Sequence, residues 1–240
     1  MQKIEELFRN ILVWFYCLIT VPTFGLMAII TKWHFWARAW CKGLLKILGI
    51  KIHVKGNLPP AGIYVFMSNH QSQLDIPILE KILEPYNIRF LAKQSLFKIP
   101  FFGWGIKALG YVPVERENPK EGLKSILICI EKLKQGYSLV IFPEGTRSPT
   151  GELLPFKIGG FLVPLKSKVK IVPITIWGTR NILPKGKIWF NTKHKNVKVF
   201  IDHPVDVGTF TLREKNKLSS LVRNIILKNL ELLKKEMEGN

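Results

Sequence analysis

Short apolar runs recur along the chain from residue 51 onward and alternate with segments of helical periodicity. The runs are rich in Val, Ile and Phe and mostly lack alternating polar positions, as expected for strands that helices cover on both faces. The pattern therefore predicts an α/β layered domain. The predicted strands are Ile63–Met67, Ile88–Ala92, Gly110–Val114, Leu139–Phe142, Ile171–Ile176, Lys187–Phe190 and Val197–Ile201.

The C-terminal segment has the periodicity of a helix. Thr211 and Glu214 have the spacing of a capping box, which predicts the start of that helix. Apolar positions then recur at helical spacing, and we interpret them as a stripe that packs on the core, with membrane contact as the alternative. The stripe consists of Leu218, Leu221, Val222, Ile225, Ile226, Leu230 and Leu233.

Residues 11–31 form an apolar run that contains no charged residue. The run is long enough to cross a bilayer as a helix. Pro22 lies at its middle and Gly25 follows, which predicts two short apolar pieces in a kinked or re-entrant element. Aromatic side chains, which favour the headgroup level of a membrane, crowd both ends. They are Trp14, Phe15, Tyr16, Trp33, Phe35, Trp36 and Trp40.

A second N-terminal segment combines basic and aromatic residues. Arg38, Lys42 and Lys46 are four positions apart and share one helical face, which is typical of an interfacial helix on anionic lipid. A buried helical hairpin is the alternative. Glu5 and Glu6 argue against a cleaved signal peptide, whose first part is basic. We therefore assign residues 1–50 to a membrane-associated helical segment and residues 51–240 to the α/β domain.

The overall charge is strongly positive. The chain has 36 Lys and Arg against 17 Asp and Glu, a formal net charge of +19. Such a charge predicts attraction to nucleic acid or to an anionic membrane. The aromatic residues lie in apolar runs and not among basic residues, which argues against stacking on nucleic-acid bases. The scattered cysteines Cys17, Cys41 and Cys129 show neither metal-ligand spacing nor a disulfide framework, and we expect reduced thiols in a cytoplasmic environment.

Two polar segments follow predicted strands, where ligands bind in α/β sheets. The first contains His70 and Asp75. Residues five apart on one helix differ by about 140° in direction, so these two side chains can meet only if His70 lies in a loop and Asp75 lies near the next helix start. His70 would then serve as a proton acceptor that the carboxylate orients. The alternative is that Asp75 only caps the helix.

The second segment is "FPEGTRS", residues 142–148. Gly145 permits a tight turn whose N–H groups can face an anion. Thr146 adds a hydroxyl donor, and Arg147 offers a planar fork suited to phosphate. Glu144 can accept a hydrogen bond from a substrate hydroxyl or pair with an arginine. The alternative is an ordinary turn with a surface ion pair.

Residues 93–116 begin with Lys93, end with Arg116 and are mostly apolar between them. The aromatic density and several glycines favour a groove for an acyl chain or a surface that dips into lipid. Ordinary core packing is the alternative for the individual aromatic residues.

These segments resemble the motifs of the glycerolphosphate acyltransferases, and specifically of the 1-acylglycerol-3-phosphate acyltransferases. "NHQSQLD" at 69–75 resembles the first motif, "GYVPVER" at 110–116 the second, "FPEGTRS" at 142–148 the third and "IVPITI" at 171–176 the fourth. All four occur in the family's order over roughly residues 55–180, so the resemblance is specific.

The resemblance implies an α/β acyltransferase domain at 51–240, built on a mixed, mostly buried sheet flanked by helices. It implies that His70 is the general base and that Asp75 orients it. It also implies that an acyl group passes from acyl-CoA or acyl-carrier protein to the 2-hydroxyl of 1-acylglycerol-3-phosphate (lysophosphatidic acid), making phosphatidic acid for phospholipid biosynthesis. The implied substrate-binding residues are Lys93, Arg116, Glu144, Gly145, Thr146 and Arg147.

The expected partners are lysophosphatidic acid, the acyl donor and an anionic membrane surface, without nucleic acid, a bound cofactor or a metal. The expected location is the inner (cytoplasmic) membrane, with the active site facing the cytoplasm. One alternative is another acyltransferase of the same superfamily that uses glycerol-3-phosphate or another lyso-lipid. The others are thioester hydrolysis and a non-catalytic basic protein that binds membranes or nucleic acid.

Overall fold

The computed structural model of the protein describes residues 2–115 and 119–238. Its strands are β1 (Lys51–Lys55), β2 (Val65–Ser68), β3 (Ile88–Lys93), β4 (Val112–Val114), β5 (Ser138–Ile141), β6 (Ile171–Trp177) and β7 (Asn196–Ile201). They form one seven-stranded sheet in the order β1-β7-β6-β2-β5-β3-β4. Strands β2 to β6 are parallel to one another. Strand β7 pairs antiparallel with β6, and β1 pairs parallel with β7. The predicted mixed sheet is confirmed.

Helices cover both faces of this sheet. They are α1 (Gln2–Thr31), α2 (Phe35–Leu48), α3 (Asp75–Ile82), α4 (Phe102–Ala108), α5 (Pro119–Lys134), α6 (Gly159–Ser167), α7 (Thr179–Ile182) and α8 (Lys215–Glu238). Successive strand residues point to opposite faces. Phe66 therefore packs with α2 and α3 in one apolar cluster, while Val65 and Met67 pack with α5, α6 and α8 in the other. The predicted layered α/β architecture is confirmed.

The C-terminal helix begins as its capping pattern predicts. The Thr211 and Glu214 capping box is formed, and α8 follows it directly. Five positions of the predicted stripe are buried, four of them in the second apolar cluster, which confirms core packing. They are Leu218, Val222, Ile226, Leu230 and Leu233.

All but one of the predicted strands are present, with ends shifted by one or two residues. The prediction of a strand at 187–190 is wrong, because the Asn10 side chain takes both backbone groups of Phe190 as hydrogen-bond partners. The sequence pattern did not indicate β1. Its side chains are mostly exposed at the sheet edge, and it is held by backbone pairing with β7, which leaves no apolar run to recognise.

Pro22 does not divide the N-terminal apolar run, so the prediction of two short pieces is wrong. Helix α1 continues through Pro22, and the hydroxyls of Thr20 and Thr23 donate to the carbonyls of Tyr16 and Ile19 beside it. Within the described residues, α1 is the one helix whose length and apolar composition would allow it to cross a membrane. Only 11% of its most apolar stretch is buried inside the protein, so most of this stretch is not covered by the core.

The basic face of α2 meets acidic residues in and just after α3. Arg38 lies 3.7 Å from the carboxylate of the buried Glu80, and Lys42 donates to Glu84 at 2.7 Å. The third basic residue of that face, Lys46, is exposed. The interpretation of the whole face as lipid-binding is therefore wrong for Arg38, because its charge is satisfied inside the protein.

Candidate active site

Three parallel strands bring the polar segments together at their carboxyl ends, which we call the site edge of the sheet. Strands β6, β2 and β5 are neighbours with their carboxyl ends on the same side. His70 follows β2, "FPEGTRS" starts as β5 ends, and Thr179 begins α7 after β6. Asn69 holds β6 beside the first of these loops, since its side chain bonds both backbone groups of Ile176. This edge is where ligands bind in α/β sheets.

His70 and Asp75 are in direct contact. His70 lies in the loop, Asp75 is the first residue of α3, and the distance from Nδ1 to Oδ2 is 2.7 Å. The predicted loop-to-helix arrangement is therefore present. Asp75 is 0% exposed, and its Oδ2 also accepts the backbone N–H groups of Gln71 and Ser72. Its Oδ1 accepts the Thr179 hydroxyl at 2.6 Å, so the ring and the loop are held by one carboxylate.

The His70 ring is fixed in direction and has one free nitrogen. Its ring stacks on Phe142, with centroids 3.9 Å apart and planes 14° from parallel. Because the Asp75 carboxylate is an acceptor, we assign the imidazole proton to Nδ1, which leaves the Nε2 lone pair as the basic position. Nε2 makes no hydrogen bond to any residue that the structure describes, and the side chain is partly open to solvent. This nitrogen can take a proton from a bound hydroxyl.

Glu144 connects the two motif loops through the backbone. Its Oε1 accepts the N–H of His70 at 2.7 Å, and its Oε2 accepts the N–H of Leu154 at 2.9 Å. The N–H of Ser148 in turn donates to the His70 carbonyl at 2.7 Å. Glu144 is 3% exposed, and burial raises the pKa of its carboxyl to about 7. These contacts favour a positioning role over contact with substrate.

We expect the Glu144 carboxyl to make stability depend on pH. A pKa raised from 4.5 to about 7 stabilises the fold most below pH 4.5, and this contribution is lost as the pH rises through about 7. The full loss amounts to about 3 kcal/mol. Denaturant unfolding should show a shallower decline of stability over this range for Glu144→Gln than for the wild type. The same pH dependence of unfolding in the two proteins would contradict the raised pKa of Glu144. The matched control is Glu152→Gln, which changes an exposed carboxyl on the same segment.

The turn after Glu144 has the predicted tight geometry. Gly145 has φ +71°, and a Cβ at this position would lie 2.9 Å from Cδ of Lys157. Only glycine therefore fits easily, and Lys157 lies across the turn. Thr146 Oγ1 accepts a hydrogen bond from Lys185 Nζ at 3.1 Å. Arg147 is half-exposed and has no hydrogen-bond or ion-pair partner among residues 2–115 and 119–238.

The remaining predicted residues belong to the β3–β4 side of the sheet. Lys93 ends β3 and is exposed at the same sheet edge as His70. Arg116 lies outside the described residues. In the apolar segment, Ile106 and Leu109 are buried, whereas Phe101 and Trp104 are exposed. Core packing thus accounts for some of these residues, and others remain open to solvent.

No cluster of three or more His, Cys, Asp or Glu suited to a metal is found in the described part of the chain.

Several residues of the site did not emerge from the sequence. The ring of Phe142 and the cation Lys157 lie far from His70 along the chain, and no local pattern points to their roles. Lys185 belongs to a lysine-rich stretch of the sequence, but that pattern does not place it against Thr146. Thr179 had a usable signal, because it follows a predicted strand just as His70 does. Because ligands bind at the carboxyl ends of strands in α/β sheets, the polar residue after β6 could have been identified in the same way as His70.

The chain is similar in sequence to known acyltransferases. The acyltransferase family model matches residues 49–177, somewhat more than half of the chain. The 1-acyl-sn-glycerol-3-phosphate acyltransferase of Borreliella burgdorferi is 34% identical over 82% of this chain and 78% of its own. The enzyme of that name from Bacillus subtilis is 32% identical over 80% and 96%. LPAT1 of Arabidopsis thaliana, a chloroplastic protein of that name, is 39% identical over 72% of this chain and 48% of its own.

The fold has a solved counterpart over nearly its whole length. The crystal structure of the 1-acyl-sn-glycerophosphate acyltransferase from Thermotoga maritima superposes with a TM-score of 0.80 at 30% identity and covers 98% of both chains. The chain spans about half the length of the chloroplast relatives from Arabidopsis thaliana and Brassica napus. The family match, the identities and the shared fold agree with the motif resemblance. The chain therefore belongs to the acyltransferase family that contains the 1-acyl-sn-glycerol-3-phosphate acyltransferases.

Proposed function

We propose that the protein transfers an acyl group from a thioester donor to the 2-hydroxyl of 1-acylglycerol-3-phosphate, making phosphatidic acid. The observation that carries this proposal is the 2.7 Å contact between His70 and a fully buried Asp75, with Nε2 beside the "FPEGTRS" turn and unbonded by any residue in the described part of the chain. The names of the relatives from Borreliella burgdorferi and Bacillus subtilis support the acceptor. The donor is acyl-CoA or acyl-carrier protein, which acts as a co-substrate and not as a bound cofactor.

In the proposed reaction, His70 Nε2 removes the proton of the acceptor hydroxyl as its oxygen attacks the thioester carbonyl. The imidazolium that results is stabilised by Asp75 on the other ring nitrogen. The C–S bond of the tetrahedral intermediate then breaks, and the departing thiolate takes the proton back from His70. The new ester and the free thiol leave the enzyme unchanged, so one group serves both proton transfers.

Transfer is direct in this proposal, without an acyl-enzyme. The two serines nearest to His70 in the sequence are both buried, and their hydroxyls are already used inside the protein. Ser72 Oγ donates to the carbonyl of Leu183 at 2.7 Å, and Ser68 Oγ donates to the carbonyl of Asn69 at 3.0 Å. Neither hydroxyl contacts the His70 ring that would have to activate it, which supports attack by the substrate hydroxyl itself.

The acceptor phosphate is proposed to bind at the turn formed by Gly145, Thr146 and Arg147. The guanidinium of Arg147, which has no partner among residues 2–115 and 119–238, can form a bidentate contact to phosphate oxygens. Lys93 at the end of β3 adds a second cation to this edge of the sheet. Arg116, the last residue of the second motif, is proposed for the same phosphate from the family resemblance. Glu144, which begins this turn, ties it to the His70 loop by accepting the His70 N–H.

The proposed location is the inner (cytoplasmic) membrane, with the site facing the cytoplasm. Support comes from α1, whose apolar surface is mostly uncovered, and from the net charge of +19, which suits an anionic bilayer. The acceptor and the product are both anionic lipids and reside in such a membrane. A membrane-bound enzyme therefore meets its substrates at the surface that holds it.

The proposal is tested by acyl transfer with the purified protein. Labelled acyl-CoA and acyl-carrier protein are each offered with 1-acylglycerol-3-phosphate, glycerol-3-phosphate and other lyso-lipids. We expect phosphatidic acid as the main product. A clear preference for another acceptor would assign the chain to a different reaction of the superfamily. Thioester loss without acceptor would indicate hydrolysis, and vesicle binding without any acyl transfer would indicate a non-catalytic protein.

Arg147→Ala is expected to weaken acceptor binding more than turnover. A hydrogen bond to a charged group contributes about 1.5–3 kcal/mol, so KM for 1-acylglycerol-3-phosphate should rise roughly ten- to a hundredfold. Initial rates over a range of acceptor concentrations measure this change. Arg213→Ala, at an exposed arginine before α8, is the matched control and should leave KM unchanged. An unaltered KM and kcat in the Arg147 variant would remove this residue from the phosphate site.

A further inference from the structure

The segment after α7 exposes an apolar tip between basic residues. We call residues 184–189 the 184–189 loop. Gly186 has φ +82° and turns the chain between Lys185 and Lys187. Ile188 and Trp189 follow, and they are 71% and 46% exposed. Single exposed apolar residues are common, but an adjacent isoleucine and tryptophan beside two lysines form the amphipathic pattern of a membrane interface.

Both ends of this loop are held firmly. Before it, the carbonyl of Leu183 accepts a hydrogen bond from Ser72, two residues after His70. After it, Phe190 is clamped by Asn10 of α1, whose buried side chain bonds the Phe190 N–H at 2.8 Å and its carbonyl at 2.9 Å. The loop therefore projects from fixed points on the His70 loop and on α1.

The apolar tip adjoins the uncovered face of α1. Trp14 contacts Phe190, with ring centroids 6.4 Å apart. Ile11 and Leu18 lie three and four positions from Trp14, so they share its face of the helix. All three are exposed. The 184–189 loop thus extends an apolar surface that α1 already presents.

The charge around the loop matches an anionic bilayer. Residues 180–195, which contain the loop, include five Lys and Arg and no Asp or Glu. An apolar tip that enters the headgroup layer would place Lys185 and Lys187, which flank Gly186, near lipid phosphates, where basic residues are attracted to the anionic surface. Apolar exposure and uniform positive charge thus favour the same occupant, a bilayer of anionic phospholipid.

The loop also contacts the proposed phosphate turn, because Lys185 donates to Thr146. We infer that the 184–189 loop is a second membrane contact, which inserts Ile188 and Trp189 into the headgroup layer and holds Lys185 beside Thr146. This inference rests on the proposed acyl transfer at a membrane. It adds a physical link, in which the bilayer that supplies the acceptor also positions the loop at the site.

The test measures the membrane depth of single labelled positions. Ile188→Cys, Leu18→Cys on α1 and Leu127→Cys on α5 are each labelled with an environment-sensitive fluorophore in vesicles of phosphatidylglycerol and phosphatidylcholine. All three positions are exposed, and α5 packs on the opposite face of the sheet from α2 and α3. Nitroxide-bearing lipids quench labels in the bilayer, and aqueous iodide quenches labels in water. The unsubstituted chain measures the background from Cys17, which is half-buried.

We expect lipid quenching at position 188 to be about twofold or more above that at position 127, and closer to that at position 18. Lipid quenching at position 18 with only aqueous quenching at position 188 would overturn the second contact and leave attachment through α1 intact. Aqueous quenching alone at positions 18 and 188 would overturn membrane attachment through α1 and through the 184–189 loop. Depth is measured without turnover, so failure of the proposed acyl transfer is seen separately in the activity assay.

A kinetic comparison tests the link to the site. The double variant Ile188→Ser with Trp189→Ser should raise KM for a long-chain acceptor in vesicles by about tenfold, because it loses apolar contact with the bilayer. It should leave kcat for a water-soluble short-chain acceptor unchanged. Leu123→Ser with Leu127→Ser, two exposed leucines of α5, is the matched control. Equal KM values for the two double variants would overturn the link.

Discussion

His70→Ala is expected to lose nearly all acyl transfer, a fall of about 10²–10⁴-fold in kcat, while the protein remains folded. Alanine has no ring nitrogen to take the proton of the acceptor hydroxyl, and the nearby carboxylates of Asp75 and Glu144 already accept hydrogen bonds inside the protein. The loss should appear as lower kcat with both donors. Formation of phosphatidic acid from a labelled donor measures it.

The control for this prediction is His53→Ala, at an exposed histidine of β1 that contacts Asn196. It should keep wild-type turnover. Circular dichroism should match the wild type for both variants. The thermal midpoint should be unchanged in His53→Ala and modestly lower in His70→Ala, because that change removes one donor from the buried Asp75 carboxylate but leaves its other three. Wild-type activity in a folded His70→Ala protein would exclude the proposed mechanism.

Asp75→Asn is expected to lower kcat by about 10²-fold and to reduce stability as well. The buried carboxylate accepts hydrogen bonds from four donors, which are the His70 ring, two backbone N–H groups and the Thr179 hydroxyl. An asparagine amide carries its own N–H₂ and must place it against at least one of these donors. His70 would then lose the partner that fixes its tautomer and stabilises its charged form. The lost contacts around a buried group should lower the free energy of unfolding by roughly 1–3 kcal/mol.

Kinetics and unfolding together separate the two roles of Asp75. A positioning role requires kcat to fall while KM for the acceptor changes little, because Asp75 is buried and does not reach the acceptor. The matched control is Asp206→Asn, at an exposed aspartate that caps the N–H of Gly208. If Asp75→Asn unfolds more easily but turns over at the wild-type rate, Asp75 has a structural role alone.

The candidate site shows how far local sequence reasoning reaches. The spacing of His70 and Asp75, combined with helix geometry, required a loop followed by a helix start, and α3 begins at Asp75. The residues that complete the environment come from elsewhere. Thr179 is 104 positions from Asp75, and Lys185 is 39 positions from Thr146. Such contacts depend on strand order, which no local spacing encodes.

Glu144 illustrates the same limit for the role of a single residue. Its place in "FPEGTRS" is compatible with binding a substrate hydroxyl, pairing with an arginine or lying at the surface. Burial and the two backbone amides favour a positioning role, because both carboxylate oxygens already accept hydrogen bonds inside the protein. Burial also raises its pKa, an effect that depends on surrounding atoms and not on neighbouring residues in the chain.

The sequence alone indicates the α/β class, most of the strands, the C-terminal core helix and the motif residues. Each of these leaves a local mark, such as a β-rich apolar run, a helical stripe, a capping box or a polar segment at a strand end. The sheet order, the edge strand β1, the unbroken α1 and the contact between α1 and Phe190 required the tertiary structure. The physical reason is that backbone pairing and side-chain clamps join distant segments, and a helix tolerates proline when its surroundings allow it.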